Sequence, residues 1–274
     1  MKNRRRKILL SLLLALLSGL CFAQRGWNSY SSDRRGVPNW DVSRELPNDM
    51  FTFARIEYDS HDGGYGFRGR RGGGRWTTDY PDADLNLSYR LNEMTSMEVN
   101  PNGAVMRLTD DELFDHPFIY IVEPGRLLFS SEEVERLRRY CNNGGFLMID
   151  DFWGESEWDN LYYEIKRVFP DREPQSIPLE HTIFHAIFPL KERPQIPSIG
   201  WVNSGRTYER ADAQEVHYKG IFDDMGRLMV MICHNTDLGD GWEREGDNHD
   251  YFKNFSEKSA YPLGINILYY SMTH

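Results

Sequence analysis

The chain has 274 residues and a formal net charge of −10, from 32 basic and 42 acidic side chains. The excess of acidic side chains argues against nucleic acid or another polyanion as the main partner. The length allows one large domain, whose core would need no disulfide framework.

The N-terminus has the layout of a secretory signal peptide, because five positive charges precede an apolar run at residues 8–17. Small residues at Cys21 and Ala23 predict cleavage after Ala23, which would remove residues 1–23 and leave Gln24 as the mature N-terminus. We therefore expect a periplasmic or secreted protein. An uncleaved anchor is the alternative, and it would be the protein's only contact with a membrane.

Residues 24–49 are polar with few periodic apolar residues, so we predict a flexible leader before a single ordered domain over 50–274. Residues 51–58 alternate as a first strand. The glycine- and arginine-rich stretch 63–75 predicts an irregular basic loop, which we interpret as a solvated insertion. Its alternatives are an anion clamp or a nucleic-acid-binding segment, and export argues against the second.

A helix and a short strand are predicted after the basic loop. Asp82 or Asp84 can cap the helix, in which Leu87 and Leu91 recur on one face. Residues 104–108 then form the strand.

The stretch 118–153 indicates a strand, a crossover helix and a second strand. Residues 118–122 form a continuous apolar run, which is typical of a strand covered on both faces. A capping box of Ser130 and Glu133 begins the helix, and residues 146–149 form the second strand.

Three further elements complete the predicted domain. Ser156 can cap a helix that Pro170 ends. A hairpin of residues 216–222 and 228–233 comes next. An apolar stretch from Pro262 predicts a buried C-terminal helix, with a strand as the alternative.

Strands that alternate with helices of this length predict an α/β fold, with a mostly parallel sheet flanked by helices on both faces. Ligands of such folds bind beyond the carboxyl ends of the strands. Glu123, Asp150, Asp151 and His234 all follow the ends of predicted strands, so we expect the functional site near them.

Asp150 and Asp151 are the candidate metal ligands, and the chain after them continues into Trp153. Paired carboxylates can hold a divalent ion, or one of them can act as a general base if a neighbour raises its pKa. The alternative is that Asp151 caps a turn and Asp150 accepts backbone hydrogen bonds. No cofactor is predicted beyond a possible divalent metal.

The segment HTIFH would place His181 and His185 one helical turn apart if it were helical, which suits two imidazoles on one metal. Thr182 stands where a zinc protease needs a glutamate, which argues against a protease. The alternative is a structural role for both histidines. His181 is the better candidate for ligand binding, because Glu180 beside it is also polar.

The segment 234–243, HNTDLGDGWE, follows a predicted strand directly and predicts a polar loop. Its acids and amide could present oxygens to a cation, and its tryptophan could stack on a sugar. The alternative is that these residues serve turn geometry alone. The candidate ligand-binding residues of the segment are His234, Asn235, Asp237, Asp240 and Trp242.

The sequence gives little support for a serine or thiol nucleophile. No Gly-x-Ser-x-Gly elbow occurs, and Cys141 and Cys233 lie within apolar patterns of a predicted helix and strand. We expect both to be buried free thiols, with a disulfide between them as the alternative in an oxidising compartment.

Four segments resemble, in the same order, a bacterial family known as domain of unknown function 4159: FTFARIEYDS, WTTDYPDADLNLSYRL, GGFLMIDDFWG and HNTDLGDGWE. The resemblance extends from about residue 51 to the C-terminus. It implies a divergent class I glutamine amidotransferase-like, flavodoxin-like fold. Amidotransferases carry a catalytic cysteine on a tight turn after a central strand, where this chain has Asp150, Asp151 and Phe152. The resemblance therefore implies the fold without glutaminase chemistry.

We expect an exported bacterial envelope protein that binds a ligand or partner protein of unknown specificity through Asp150, Asp151, His181 and residues 234–243. Two alternatives stay open. One is a metal-assisted hydrolase that acts on carbohydrate or cell-wall material with the same carboxylates. The other is a protein-interaction module whose 15 tyrosines and 7 tryptophans partly line an interface.

Overall fold

A computed structural model of the chain describes residues 34–42, 50–61 and 74–274. The predicted signal peptide, and most of the predicted leader and basic loop, lie outside these residues. All described residues belong to one compact unit, Arg34–His274. Within them, no helix combines the length and the apolar character that crossing a membrane requires.

The described ranges contain short strands interleaved with helices. The strands are β1 Ala54–Ile56, β2 Asp59–Ser60, β3 Ala104–Met106, β4 Phe118–Val122, β5 Leu127–Leu128, β6 Phe146–Phe152, β7 Gln175–Ser176, β8 His217–Phe222 and β9 Leu228–His234. The α-helices are α1 Asp82–Met94, α2 Ser131–Asn142, α3 Gly154–Val168, α4 Trp201–Ser204, α5 Leu238–Glu243, α6 His249–Tyr251 and α7 Tyr261–Thr273. A π-helix, Phe252–Ala260, leads into α7, and four 3-10 helices span Arg75–Thr77, Asp111–Asp115, Pro124–Arg126 and Thr182–Phe184.

Seven strands form one sheet in the order β3-β1-β4-β6-β9-β8-β7, and β2 pairs with β5 in a separate ribbon. The first five strands of that order are parallel, and β8 and β7 are antiparallel to their neighbours. The predicted α/β fold with a mostly parallel sheet is therefore confirmed. In chain order the parallel strands lie second, first, third, fourth, fifth, which is the flavodoxin-like arrangement with its switch point between β1 and β4.

The sheet has a hydrophobic core on each face, as the strands' apolar runs predict. Phe118, Tyr120 and Val122 of β4 enter one core with residues of α1 and α7. Ile119 and Ile121 enter the other core with residues of α2 and α3. Because successive side chains of a strand point to opposite faces, the continuous apolar run of β4 supplies apolar side chains to both cores.

The capping box of α2 is confirmed, because Ser130 and Glu133 exchange both hydrogen bonds. The prediction that Ser156 caps α3 is wrong, since that helix begins two residues earlier. Its first amides donate instead to distant side chains, Gly154 N to Asn235 Oδ1 at 2.8 Å and Glu155 N to Asp212 Oδ2 at 3.1 Å. Long-range capping of this kind leaves no local pattern in the sequence.

Two other local predictions need correction. Helix α1 begins after Pro81 without a side-chain cap, because Asp84 lies in its first turn and pairs with Arg55 instead. The polar segment 234–243 is not a loop throughout, because α5 begins within it and Asp237 caps that helix.

Part of the predicted leader lies against the domain. Arg34 donates to the carbonyl of Pro101, and Trp40 Nε1 donates to the carbonyl of Val99 at 2.9 Å. These contacts hold residues 34–42 near the β3 edge of the sheet. In the described chain both cysteines are free and buried, which confirms that expectation.

Candidate functional site

Acidic side chains meet at the carboxyl edge of the parallel strands. Glu123 follows β4, and Asp150 and Asp151 lie near the end of β6. Asp237 follows β9, and Asp79 comes from the segment that precedes α1. Because β4 is one of the two strands at the switch point, the acids lie where ligands bind in folds of this kind.

Asp150 is buried beside the switch point. Its Oδ2 accepts hydrogen bonds from the Tyr120 hydroxyl at 3.1 Å and from Gly239 N at 3.0 Å. Its Oδ1 is buried without a partner among the described residues. Burial raises the pKa of this carboxyl to about 7, although its hydrogen bonds act in the opposite direction.

Asp151 lies next to Asp150, in a left-handed backbone conformation with a φ of 54°. Its Oδ1 accepts a hydrogen bond from Trp153 Nε1 at 3.0 Å, and Trp153 is itself buried. Burial, and then the charges of Glu123 and Asp79, raise the pKa of Asp151 well above its usual range. Trp153 is therefore a buried hydrogen-bond donor to Asp151 and has no exposed ring face.

Three carboxylates converge most closely. Asp79, Asp237 and Asp240 can each offer one oxygen such that these oxygens lie within 4.8 Å of one another. Asp240 Oδ2 accepts from Ile199 N at 2.6 Å, and Asp237 Oδ1 accepts from Asp240 N at 2.7 Å. Asp79 Oδ2 is buried without a partner in the described structure. Carboxylate oxygens in this arrangement can hold a divalent metal ion.

Gly239 brings the backbone close to these acids. A Cβ added at this position would lie 2.4 Å from Asp79 Oδ2, 3.1 Å from the Tyr120 hydroxyl oxygen and 3.4 Å from Asp237 Oδ1. No side chain fits there. The absence of one lets the Gly239 amide donate to Asp150 while the Asp79 carboxylate lies against its Cα.

Backbone strain is concentrated at the same edge. Of the five non-glycine residues with positive φ in the described ranges, four lie here: Asp79, Glu123, Asp151 and Asn235. Asp and Asn tolerate the left-handed conformation better than other non-glycine residues, so the cost is largest at Glu123, and clusters of such residues are typical of functional sites. Glu123 is held by an ion pair with Arg75 at 2.9 Å, and Asn235 accepts from the first amide of α3.

The structure does not bring every predicted site residue to this edge. His181 packs against Phe222 and Tyr270, whose hydroxyl accepts from Leu228 N at the amino end of β9. The segment HTIFH forms a short 3-10 helix, in which His181 Nδ1 accepts from Ile183 N and His185 Nε2 donates to a carbonyl. His181 thus lies at the opposite edge from Asp150.

Trp242 and His234 are also held inside the fold. Trp242 is completely buried in the core beneath α1 and α7, so it offers no exposed face to a sugar. His234 stacks on Phe152 with ring centroids 4.7 Å apart, and its Nε2 donates to the carbonyl of Gly154 at 3.1 Å. Its Nδ1 is buried without a partner among the described residues.

The environment of His234 predicts how stability depends on pH. Burial lowers the pKa of this imidazole to about 4, from 6.5. The charged groups that face it are His217, Lys219 and Asp212. Because the unfolded chain binds the proton more readily, stability is lost as pH falls from about 6.5 to about 4, by about 3 kcal/mol from this group.

Urea denaturation at pH 7 and pH 5 measures this loss. We expect His234→Phe to lose less stability between the two pH values than the unchanged chain does. The matched control is His249→Gln, because His249 is exposed. Equal pH dependence in all three proteins would contradict a buried neutral His234.

Asp79 is the site residue that sequence reasoning missed. It stands two residues before Pro81 in an acid-rich segment, and nothing local distinguishes it from its neighbours. More than 150 residues separate it from Asp237, so only the folded chain shows that they meet. The sequence signal that could have identified Asp79 is its position in WTTDYPDADLNLSYRL, one of the four segments that carry the family resemblance.

A search of protein families finds one that covers nearly all of the described domain. The model for Domain of unknown function (DUF4159) matches residues 52–272, which include every acid of the site. No curated protein matches the chain.

Proposed function

The chain belongs to the DUF4159 family, and we propose that it is an exported envelope protein that binds a positively charged ligand at the carboxyl edge of its sheet. The observation that carries the proposal is an excess of buried carboxylates there. In the part of the chain that the structure describes, Asp150, Asp151 and Asp237 have no cationic side chain within 4 Å. A cation would offset the free energy that burying these charges costs.

Export is supported by the sequence of residues 1–23 alone, which has the pattern of a cleaved signal. The intact mass of the protein from a periplasmic extract tests it. A mass that begins at Gln24 is expected, and a cytoplasmic protein of full length would contradict export.

A likeness to class I glutamine amidotransferases without their chemistry is also part of the proposal. By this resemblance, Asp150, Asp151 and Phe152 stand at the strand end where those enzymes carry their cysteine. Burial raises the pKa of Cys141 to about 12 and that of Cys233 well above its usual range, which disfavours a thiolate at either position. We therefore expect no thiol-dependent release of ammonia from glutamine.

Thermal melting of the mature chain at pH 8 tests ligand binding. Spermidine and calcium are the cationic probes, and citrate is the anionic one. We expect at least one cation to raise Tm by several degrees, because a ligand that binds only the folded state stabilises it. Citrate should have no such effect.

Asp150→Asn makes this test more specific. Removing a buried negative charge should stabilise the chain without ligand and weaken its binding of the cation. We expect a higher Tm without ligand and a smaller shift with the cation. Asp171→Asn is the control, since Asp171 is exposed. No response to any cation, with Asp150→Asn less stable than the unchanged chain, would overturn the proposal.

The convergence of carboxylates favours metal-assisted hydrolysis as a second candidate function, because oxygens of Asp79, Asp237 and Asp240 lie within 4.8 Å of one another. Burial of Asp150 beside them raises its pKa to about 7, which would suit a general base near neutral pH once the chain opens to admit a substrate. Release of reducing ends from purified cell walls, with and without chelator, measures this activity. Asp150→Asn should lower it at least 100-fold if Asp150 is the base. Activity that survives both chelator and Asp150→Asn would contradict this candidate.

A further inference from the structure

We propose that Asp79, Asp237 and Asp240 bind a single divalent metal ion of the hard, oxygen-seeking kind, such as Ca²⁺, Mg²⁺ or Mn²⁺. This inference rests on the proposed function and names the cation that the acidic edge takes. It also moves the metal ligands away from Asp150 and Asp151, where the sequence suggests them.

The donor set fits such an ion. Three carboxylates whose oxygens lie within 4.8 Å of one another can contact one ion, because Ca²⁺ binds oxygen at about 2.3–2.6 Å and opposite ligands can then be nearly 5 Å apart. The group contains neither histidine nor cysteine. Carboxylates alone favour Ca²⁺, Mg²⁺ or Mn²⁺ over zinc and copper, which favour nitrogen and sulfur.

A second observation points to a missing partner at the same place. Asp79 Oδ2 is buried and accepts no hydrogen bond from the described residues. Asp150 Oδ1 is also buried without a partner there, and its Oδ2 accepts from Gly239, whose Cα the Asp79 carboxylate approaches. A buried carboxylate oxygen without a partner is unfavourable by the loss of its hydration. A metal ion would replace that lost hydration.

The surrounding cations do not neutralise the three acids. Arg244 Nε contacts Asp240 at 3.0 Å, but Arg244 is shared with Glu243 at 2.6 Å and with Asp247 at 3.5 Å. Arg55 is committed to Asp84. A divalent charge would balance the group without any change in these ion pairs.

Burial decides between a metal ion and an organic cation. Asp237 and Asp240 are each 4% exposed, and Asp150 is fully buried. A polyamine could contact these oxygens only if the surrounding chain moved, whereas a dehydrated ion is smaller than the side chains around it. Asp240 Oδ2 and Asp237 Oδ1 are held by backbone amides at the start of the short helix α5 and before it, so two of the three carboxylates are already positioned.

Isothermal titration calorimetry of the chelator-treated mature chain, with CaCl₂, MgCl₂ and MnCl₂ in turn, tests this proposal. We expect one ion per chain for at least one metal. Asp79→Asn and Asp237→Asn should each weaken its binding at least tenfold. Both keep the side-chain shape, and asparagine can still cap α5 at position 237. The control Asp171→Asn should bind as the unchanged chain does.

Terbium luminescence gives a readout that does not depend on stability. Terbium occupies calcium sites, and excitation of aromatic side chains near the ion, such as Tyr120, should produce emission that Asp79→Asn abolishes.

Different results would contradict the metal site and the proposed cation binding. Binding of spermidine without any metal ion overturns the metal site alone, and absence of all cation binding overturns both. Metal binding that Asp79→Asn and Asp237→Asn leave unchanged also overturns this site.

Discussion

Replacing Arg55 with methionine is expected to destabilise the protein by about 3–5 kcal/mol, because it leaves a buried charge without a partner. Arg55 of β1 is fully buried and Asp84 of α1 is 1% exposed. The guanidinium contacts both carboxylate oxygens, with Nε 3.0 Å from Oδ2 and Nη2 2.5 Å from Oδ1. Its Nη1 donates to the carbonyls of Trp76 and Thr78 at 3.0 and 2.9 Å.

Urea denaturation at pH 7 measures the effect. The matched control is Lys253→Met, which breaks the exposed Lys253–Glu257 pair and should change stability by less than about 0.5 kcal/mol. The double variant Arg55→Met with Asp84→Leu should recover part of the loss, since it removes the uncompensated charge. Similar stability of the Arg55 and Lys253 variants would contradict the role assigned to the buried pair.

The Arg55 substitution should also change the position of Asp79 in the acidic site. The two carbonyls that Arg55 holds belong to the segment directly before Asp79, so the guanidinium positions that acid without being one of the proposed ligands. We therefore expect Arg55→Met to weaken binding of the cation even at temperatures where the variant is fully folded. Unchanged affinity in the folded variant would show that the position of Asp79 is set by other contacts.

Replacing Trp242 with alanine is expected to destabilise the protein by about 3–5 kcal/mol, because a large cavity is left in the core. The indole is fully buried, packs 6.0 Å from the ring of Tyr120 between centroids, and donates from Nε1 to the carbonyl of Ala260 at 2.9 Å. The loss of that hydrogen bond adds to the loss of apolar contact.

Urea denaturation of Trp242→Ala and Trp242→Phe separates these contributions, since phenylalanine fills part of the cavity. We expect Trp242→Phe to lose less stability than Trp242→Ala. Tyr163→Ala is the control, because Tyr163 is 65% exposed and should change stability by less than about 0.5 kcal/mol. Equal stability of Trp242→Ala and this control would show that the indole is not packed in the core and would favour the alternative that it stacks on a sugar.

The fold was largely predictable because its signals are local. The unbroken apolar run of β4 indicates a strand covered on both faces, and Ser130 with Glu133 marks the start of α2 within four residues. The start of α3 does not follow from its local sequence, because its capping groups, Asn235 and Asp212, are distant in the sequence. Local patterns find local hydrogen bonds and no others.

The candidate site was predictable only in part, for the same physical reason. Strand ends carry Glu123, Asp150 and Asp151, so their common edge follows from a parallel sheet. Asp79 does not follow a strand of the main sheet directly, and its convergence with Asp237 depends on tertiary structure. Burial is equally invisible in sequence, which is why Trp242 resembled a surface residue among polar neighbours.

The two buried thiols provide native reporters of how the domain opens. Cys141 lies on α2 and Cys233 in the antiparallel pair of β8 and β9, and both are inaccessible in the folded chain. A thiol reagent can modify each only after the surrounding element opens, so the two labelling rates measure two opening free energies without any engineered probe. Cys141 and Cys233, the cysteines of the described residues, form no disulfide, so the domain can be prepared in reducing solution and labelled there.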